Sequence, residues 1–461
     1  MRNVLTFVVG ICLPLTTPEY GADAWEPPFE VLSELGNPPD RGQDDGPLPH
    51  LVDKTLFVPS PGAGVRVNGY AYYTRAQGVD MISRTSEQTQ SDKADIAYQR
   101  RSTDNGHLWS DPVPQATHLQ KPQGTIRLGR YPGFVDPQRD ILLVMILQGI
   151  LPTDNPLEGM KHWTLHYSLS DDGGQTEYYQ GQVIQAGKEY SASHPMPGVW
   201  TGKNAAMIGD TTCRPIRIRT GQILQPIQIT PLGPNGEYEN PGGGYTYHDA
   251  AVLIGTWNPA RQLDWKLSER VRADPNLSTR GMIEPTLAQF PDDRILMVLR
   301  GSNDVKPDLP GYRWMSVSDD GGQHWTAPKP WTYEDGTPFY SPSSCSQLLV
   351  HSSGRIYWIG NISPTNPRGN HPRYPLVLGE VDRQTLRLKR ATLCTIDSRH
   401  PGDAERLQIS NFFAEEDRQT GEIRIYAAPL FRQPEKPSGT GAKPGLDWTA
   451  NLWLYRVDVG H

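Results

Sequence analysis

Short β-rich runs recur six times along the chain, and each begins at a turn. Every run follows a Gly or Asp turn and continues in β-branched or other apolar residues, and the copies lie roughly 60 to 80 residues apart. The six copies are 78–82, 140–144, 221–225, 293–297, 354–358 and 421–425. No segment after residue 25 has the sustained apolar period of a helix, so the pattern predicts a chain built from strands.

A second family of six runs, rich in aromatic and β-branched residues, alternates with the first. Its members are 95–102, 162–170, 245–253, 312–318, 373–382 and 451–459. The spacing leaves room for a four-stranded sheet in each unit, and such sheets bury their faces by packing radially. We therefore predict an all-β fold, a six-bladed β-propeller. The last run ends the chain and suits a strand that completes a blade begun near the other terminus.

Three strands of the second family lead into a sharper turn motif, Ser-x-Asp-x-Gly-x-x-Trp. The copies are 102–109, 318–325 and 170–177, and the last has Glu177 in place of Trp. In such a turn the Asp side chain caps backbone N–H groups, Gly adopts a positive φ, and Trp packs beneath. The motif resembles the Asp-boxes of the sialidase superfamily. The resemblance implies a propeller of sialidase type, with these turns away from the active centre.

Composition fits this architecture and narrows the partners. The 45 Gly and 43 Pro among 461 residues are typical of many short strands and tight turns. The net charge of -7 is spread along the chain, which argues against nucleic acid as a partner. No CxxC or HExxH pattern is present, so we expect no metal and no cofactor.

The amino terminus resembles a secretory signal peptide. Arg2 provides the positive start, 4–15 the apolar stretch, and Ala22 to Ala24 a small-x-small cleavage site. We expect a signal peptide over 1–24, cleavage near Ala24, and one propeller domain over 25–461. The apolar stretch is too short to span a bilayer, so we expect an exported product without a membrane span. Because no obvious apolar face calls for assembly, we also expect a monomer. After cleavage Cys213, Cys345 and Cys394 remain, which allows at most one disulfide.

Two arginines occupy equivalent places in the repeat. Arg84 and Arg300 each stand five residues beyond the alignment point of their run, where other copies carry Ile, Gln, Asn or Ala. A guanidinium taken from water needs an anionic partner. Such an arginine forms either a structural ion pair between blades or a fork that binds a substrate carboxylate.

The segment 282–300 resembles sialidases closely. By this resemblance Glu284 partners the nucleophile, and Arg300 joins the arginine triad that grips the carboxylate of sialic acid. The residues 83–85 and 100–102 resemble the first blade, whose loop carries the acid/base Asp, so Asp92 is its candidate and Glu87 the competitor.

The other triad arginines are matched less directly. The resemblance of 344–346 and 360–361 to a later inner strand puts Arg373 near the last triad arginine. Arg66 stands in for the first, although the Arg-Ile-Pro of the family is absent. Substrate-binding candidates are therefore Arg66, Arg84, Arg300 and Arg373, with Glu284 and Asp92 as catalytic candidates.

One departure from the family leaves the function open. Sialidases use a Tyr nucleophile, and the corresponding stretch 407–413 contains none. Three alternatives remain open: another tyrosine reaches the site from a different blade, Glu284 acts directly, or the chain does not use the family mechanism. The first hypothesis is a glycoside hydrolase acting on an acidic sugar such as a sialoside. The second is a non-catalytic propeller that binds acidic glycans.

A third hypothesis is a lyase that removes the C5 proton of a uronic acid. It would use His248 with Tyr245 or Tyr247, although 248–249 also fits a degenerate turn.

Overall fold

The computed structural model describes residues 47–432 and 448–460, so the expected signal peptide lies outside the described residues. Strands form six antiparallel sheets of four to six strands each. The helical segments found are three short turns, Pro156–Glu158, Gly159–His162 and Arg390–Thr392. The prediction of an all-β, six-bladed propeller is confirmed.

The strands follow one another in a regular order along the chain. They are β1 (His50–Val58), β2 (Arg66–Tyr73), β3 (Met81–Gln88), β4 (Ile96–Ser102), β5 (Val113–Gln115), β6 (His118–Lys121), β7 (Gly124–Arg130), β8 (Phe134–Asp136), β9 (Ile141–Leu151), β10 (Trp163–Ser170), β11 (Tyr179–Gln182), β12 (Ala206–Met207), β13 (Ile216–Arg217), β14 (Ile223–Ile229), β15 (Asp249–Trp257), β16 (Leu263–Leu267), β17 (Ile283–Gln289), β18 (Ile295–Arg300), β19 (Arg313–Ser318), β20 (Lys329–Pro330), β21 (Gln347–Val350), β22 (Ile356–Asn361), β23 (Leu376–Glu380), β24 (Cys394–Asp397), β25 (Phe412–Glu416), β26 (Ile423–Ala427) and β27 (Leu452–Asp458).

Each sheet is one blade, and the first and last blades are joined by the chain termini. Blade 1 contains β2 to β5, blade 2 β6 to β11, blade 3 β12 to β16, blade 4 β17 to β20, and blade 5 β21 to β24. Blade 6 consists of β25, β26 and β27 with β1 added at its edge. The register of β1 on β27 runs from His50 opposite Asp458 to Val58 opposite Leu452. The last run does share a blade with a strand from the other end of the described chain, as expected, but the roles are reversed: β1 completes the blade that β25, β26 and β27 form.

The two predicted families of runs correspond to two adjacent strands in each blade: β3 and β4, β9 and β10, β14 and β15, β18 and β19, β22 and β23, and β26 and β27. Strands β3, β9, β14, β18, β22 and β26 each lie between two neighbours in their sheet. All residues of β14 and β18 are buried, which is consistent with the apolar run of β18 up to Arg300 at its end. The third strand of blade 3 begins only at Asp249, later than the predicted 245.

Apolar cores lie between neighbouring blades. One cluster joins blades 2 and 3, one joins blades 3 and 4, and others join blades 4 and 5 and blades 5 and 6. A further cluster closes the ring across blades 6, 1 and 2. Cys213, Cys345 and Cys394 are buried and free, so they form no disulfide and packing holds the ring together.

The three Asp-box turns have the geometry that their sequence predicts. In each box the Ser hydroxyl donates to the Asp side chain, at 2.7, 2.8 and 2.9 Å. The Gly of the motif, which is Gly106, Gly174 or Gly322, donates its N–H to the same Ser oxygen, at 2.8, 2.8 and 2.9 Å. The boxes join the last two strands of blades 1, 2 and 4, which are β4 to β5, β10 to β11 and β19 to β20, and they therefore stabilise the blade edges.

Candidate active site

A cavity of about 760 Å³ receives residues from all six blades. Its walls come from strand ends and loops at one end of the sheets. All six site residues predicted from the sequence line it: Arg66, Arg84, Asp92, Glu284, Arg300 and Arg373. The structure thus brings together side chains from blades 1, 4 and 5 that are far apart in the chain.

Glu284 and Arg300 form the ion pair at the base of this cavity. Arg300 Nη1 donates to Glu284 Oε1, and the two side chains are only 9% and 10% exposed. Glu284 lies at a β-bulge where the register of β17 on β18 shifts, and its φ of 49° is in the left-handed region. Residues in such conformations cost free energy and cluster at functional sites. The second oxygen, Oε2, is buried without a hydrogen-bond partner among the described residues.

The backbone before Asp210 packs directly on Glu284. A Cβ on Gly209 would lie 2.6 Å from Glu284 Cγ, so only glycine permits this close approach. Gln228, one of the residues aligned with Arg300 in the repeat, accepts the Glu284 N–H at 3.0 Å. These contacts fix the carboxylate in the bulge.

Two serines link the three triad candidates. Arg300 Nε donates to Ser343 Oγ at 2.8 Å, and Arg373 Nη2 donates to the Ser343 carbonyl at 2.8 Å. Arg373 Nη1 donates to Ser410 Oγ at 3.3 Å, and Arg66 Nη2 contacts the Ser410 carbonyl at 3.5 Å. The guanidinium groups of Arg66, Arg300 and Arg373 are therefore held side by side, as one carboxylate-binding constellation requires.

Arg66 and Arg373 are buried with neutral partners only. They are 6% and 8% exposed, and no described carboxylate forms an ion pair with either. Burial lowers the pKa of Arg66 to about 10. Burial and the nearby Arg300 lower the pKa of Arg373 to about 9. This positive charge, only part of it balanced by Glu284, favours an anionic ligand in the cavity.

Asp92 and Arg84 occupy the blade 1 side of the cavity. Asp92 lies in the exposed loop between β3 and β4, and Ser91 donates to it at 2.9 Å. Glu87, its competitor, does not line the cavity, whereas Asp92 does. Arg84 donates to Gln99 Oε1 at 2.6 Å and has a neutral partner there.

Asp210 is a second acidic residue on the cavity floor, and sequence reasoning missed it. Asn411 Nδ2 donates to Asp210 Oδ2 at 2.8 Å, and Thr211 donates to Oδ1 at 3.0 Å. Burial and the Glu284 charge raise the pKa of Asp210 to about 6. Two carboxylates with different pKa values in one site can divide acid and base roles.

Two of the tyrosines that line the cavity, Tyr70 and Tyr131, are poorly prepared to act as nucleophiles. Tyr70 and Tyr131 line it from neighbouring blades. The Tyr70 hydroxyl donates to the Arg130 carbonyl at 2.5 Å, and the Tyr131 hydroxyl donates to the Ile208 carbonyl at 2.8 Å. Burial raises the pKa of both. Each hydroxyl is thus occupied and kept protonated.

His248 is buried at the cavity and does not belong to a turn. It lies directly before β15, pairs with Gly281 in a parallel bridge, and is 2% exposed. The reading of 248–249 as a degenerate turn is wrong, because the chain here packs along the segment that carries Arg280. Tyr245 lines the cavity, whereas the Tyr247 hydroxyl donates to the Ala273 carbonyl and Tyr247 does not line it.

The described part of the chain has neither a metal-binding cluster nor a membrane-spanning helix. Over residues 47–432 and 448–460, no group of three or more His, Cys, Asp or Glu side chains is arranged to hold a metal ion. In the same part of the chain, no helix is long and apolar enough to cross a membrane.

Comparison with known proteins gives a consistent picture of the fold. The family model of a BNR repeat-like domain matches residues 185–397. A protein of unknown function from Dyadobacter fermentans has a TM-score of 0.55 at 13% identity, over 90% of this chain and 100% of that one. An intramolecular trans-sialidase from Ruminococcus gnavus gives 0.54 at 11%, over 88% and 97%. The NanB sialidase from Streptococcus pneumoniae gives 0.52 at 10%, over 88% and 70%.

No curated protein matches the chain. The six blades define the fold as a β-propeller of sialidase type. Residues 185–397 are similar to the BNR repeat-like domain family, and the fold of the chain is similar to that of the sialidases.

Proposed function

We propose that this chain is an exported glycoside hydrolase that acts on an acidic sugar such as a sialoside. The observation that carries the proposal is the set of buried guanidinium groups without ionic partners. Arg66 and Arg373 rest on neutral oxygen atoms beside Arg300. A sugar carboxylate would supply the missing anion and accept bidentate hydrogen bonds.

The carboxylates on either side of the bound sugar would supply acid and base catalysis. Asp92, in the exposed loop, would protonate the leaving oxygen as the glycosidic C–O bond breaks. Glu284 would serve as the base for the attacking water, with Asp210 as its partner on the floor. Asp210 would assist Glu284 by sharing the proton that is taken from the water. Its pKa of about 6 suits this assisting role, because a base is most effective when its pKa lies near the working pH. The products are the free acidic sugar and the alcohol.

This scheme does not require a tyrosine nucleophile. The stretch 407–413 has none, but it contributes Gln408 and Asn411 to the cavity. Asn411 orients the Asp210 carboxylate. Glu284 and Asp210, with Asp92 on the loop, would let water attack directly in place of a tyrosine.

The non-catalytic binding propeller is the second candidate. The engaged hydroxyls of Tyr70 and Tyr131 support it, since neither tyrosine is available as the family nucleophile. The lyase is less well supported. Burial and neighbouring arginines lower the pKa of His248 to about 3, which makes it a weak base for a carbon acid.

The test is turnover by the purified protein with a 4-methylumbelliferyl α-sialoside and with uronate-containing polysaccharides. Reducing ends without new ultraviolet absorbance support hydrolysis, and unsaturated products would support the lyase. If neither product forms but the sugars bind, the chain is a binding propeller. Glu284→Gln and Asp92→Asn should each lower kcat by roughly 10²- to 10⁴-fold, whereas the control Glu87→Gln should retain activity.

A further inference from the structure

A second cluster of unpaired polar side chains lies in the same cavity, next to Arg300. It consists of Arg280, Thr246 and His248, with Tyr245 at its mouth, and all four line the cavity. Arg280 is 9% exposed, and His248 is 2% exposed. The hydrolase roles proposed above use none of these residues.

Arg280 has no ionic partner among the described residues. Its Nη2 donates to Thr246 Oγ1 at 2.7 Å, its Nε has no hydrogen-bond partner in the described chain, and its guanidinium lies over the Tyr245 ring at 5.6 Å. Glu284 and Asp304 attract it, but Glu284 is paired with Arg300. Asp304 accepts from Thr279 Oγ1, and it also accepts the Tyr245 N–H at 3.1 Å. The positive charge of Arg280 is therefore left for a ligand.

His248 adds a second unpaired group. Both of its ring nitrogens are buried without a partner in the described part of the chain. Burial and the charges of Arg280 and Arg300 lower its pKa to about 3, so the neutral ring can donate one hydrogen bond. A buried polar side chain without a partner carries a free-energy cost that a ligand can remove.

The backbone is built to hold Arg280 in this place. The glycine-rich segment 242–244 packs on the backbone of Thr279, and a Cβ on Gly244 would lie 2.6 Å from Arg280 Cγ. The Gly244 N–H also donates to the Thr279 carbonyl at 3.1 Å. Any larger residue would displace the arginine, so the loop and the side chain fit only with glycine at 244.

We propose that Arg280, His248 and Thr246 form a second anion-binding subsite, so that the preferred sugar carries two anionic groups. This inference rests on the proposed function, because the first anion is the carboxylate held by Arg66, Arg300 and Arg373. The second group is a sulfate ester or a second carboxylate. Either one would accept from the guanidinium and from the imidazole N–H.

The experiment measures calorimetric affinities for ligands that differ by one anionic group. N-acetylneuraminic acid is compared with its 4-, 8- and 9-O-sulfates and with α2,8-linked disialic acid, and glucuronic acid with its 2-O-sulfate. At least one dianion should bind the wild-type chain about tenfold more tightly than its parent. The sulfate and disialic acid arms distinguish the two sources of the second charge.

Variants assign that gain to the subsite. Arg280→Gln should remove the gain while binding of the parent sugar persists, and Arg280→Lys should keep part of it. The control Arg219→Gln, at an exposed arginine paired with Asp293 outside the cavity, should keep all of it. Thermal melts establish that each variant is folded, and Arg280→Lys keeps the test decisive if the Gln variant does not fold.

The outcomes separate this inference from the proposed function. If parent sugars bind but no dianion binds more tightly, or if Arg280→Gln keeps the gain, the subsite is refuted and the proposed function stands. If neither parents nor dianions bind, both are refuted. If only dianions bind, the subsite is supported and both anions are required for recognition.

Discussion

Arg424 and Arg373 are both buried, at 6% and 8% exposure, but their surroundings differ. Arg424 lies in blade 6, where its Nη2 donates to the Asp417 carboxylate, and Asn105 of blade 1 donates to the same carboxylate at 2.8 Å. Arg373 lies in the cavity and contacts only the neutral oxygen atoms of Ser343, Gln408 and Ser410. One arginine has an anion supplied by the fold, and the other does not.

This difference separates arginines that stabilise the folded propeller from arginines that are left to bind a ligand. The Arg424–Asp417 pair lies within blade 6, and the hydrogen bond from Asn105 to the same carboxylate ties blade 1 to blade 6. Each of these buried charges has a partner, and removing one partner would leave the other uncompensated. The cavity arginines leave a positive charge uncompensated, which destabilises the folded chain until an anion binds. Sites under selection for function commonly carry such a stability cost.

The largest effect on stability is expected at the junction. Arg424→Gln removes one partner of a buried pair and leaves Asp417 without its counter-charge. The free energy of unfolding should fall by about 3 kcal/mol, measured by urea unfolding at pH 7. A loss below about 0.5 kcal/mol would show that the junction pair is not structural, and the comparison would fail.

Arg373→Gln should have the opposite profile. Because no carboxylate is left unpaired, we expect the free energy of unfolding to stay within about 1 kcal/mol of wild type or to rise. Affinity for acidic sugars should fall roughly 10- to 100-fold, since a charged hydrogen bond to the ligand is lost. Parallel unfolding and calorimetry measure both. Strong destabilisation with unchanged affinity would make Arg373 a structural residue.

Asp210→Asn should stabilise the chain in a pH-dependent way. The pKa of Asp210 is raised from 3.8 to about 6, so its ionisation is harder in the folded than in the unfolded state. The resulting loss of stability develops as pH rises from about 4 to about 6 and is complete at pH 7. The variant should therefore be more stable by about 1 to 3 kcal/mol at pH 7 and equal to wild type near pH 4.

A second variant identifies the cause of this effect. The Glu284 charge contributes to the raised pKa of Asp210, so the gain from Asp210→Asn should be smaller in a Glu284→Gln background. Urea unfolding between pH 4 and 7 measures both. A gain that does not change with pH would contradict the assigned ionisation.

The smallest effect is expected at an exposed pair. Arg219 and Asp293 are paired on the surface, with side chains 52% and 66% exposed. Arg219→Gln should change the free energy of unfolding by at most about 0.5 kcal/mol and leave sugar affinity unchanged. A larger change in the free energy of unfolding would mean that exposure does not distinguish the surface arginine Arg219 from the buried arginines Arg424 and Arg373.

The blade strands were predictable because their signal is local. The strands β3, β9, β14, β18, β22 and β26 each begin with a short apolar run after a turn, and all six of these predicted runs form strands. Glu284 and Arg300 could also be predicted from the sequence, because both lie in one contiguous stretch that forms two paired strands. The late start of β15 was not predictable, because 245–248 has strand-like residues, whereas Tyr245, Thr246 and His248 line the cavity instead of extending the strand.

Asp210 and Arg280 could not be found in this way. Asp210 meets Asn411 across 201 positions of sequence, and both lie in loops without a repeated pattern. Arg280 precedes the segment 282–300 that resembles sialidases. Its place in the cavity depends on the glycine-rich loop that packs on it, and this contact is not visible in the sequence. The glycines at 242–244 were the one available signal, since such a run often marks a close backbone approach.

The most direct test of the account compares acidic sugars with their own methyl esters. Methyl glycosides of N-acetylneuraminic, glucuronic and galacturonic acids, each beside its neutral ester, are titrated into the wild-type chain and into Arg373→Gln. At least one free acid should bind the wild-type chain at least about tenfold more tightly than its ester, and the variant should lose that preference. Equal binding of every acid and its ester would contradict the claim that the cavity arginines hold a sugar carboxylate.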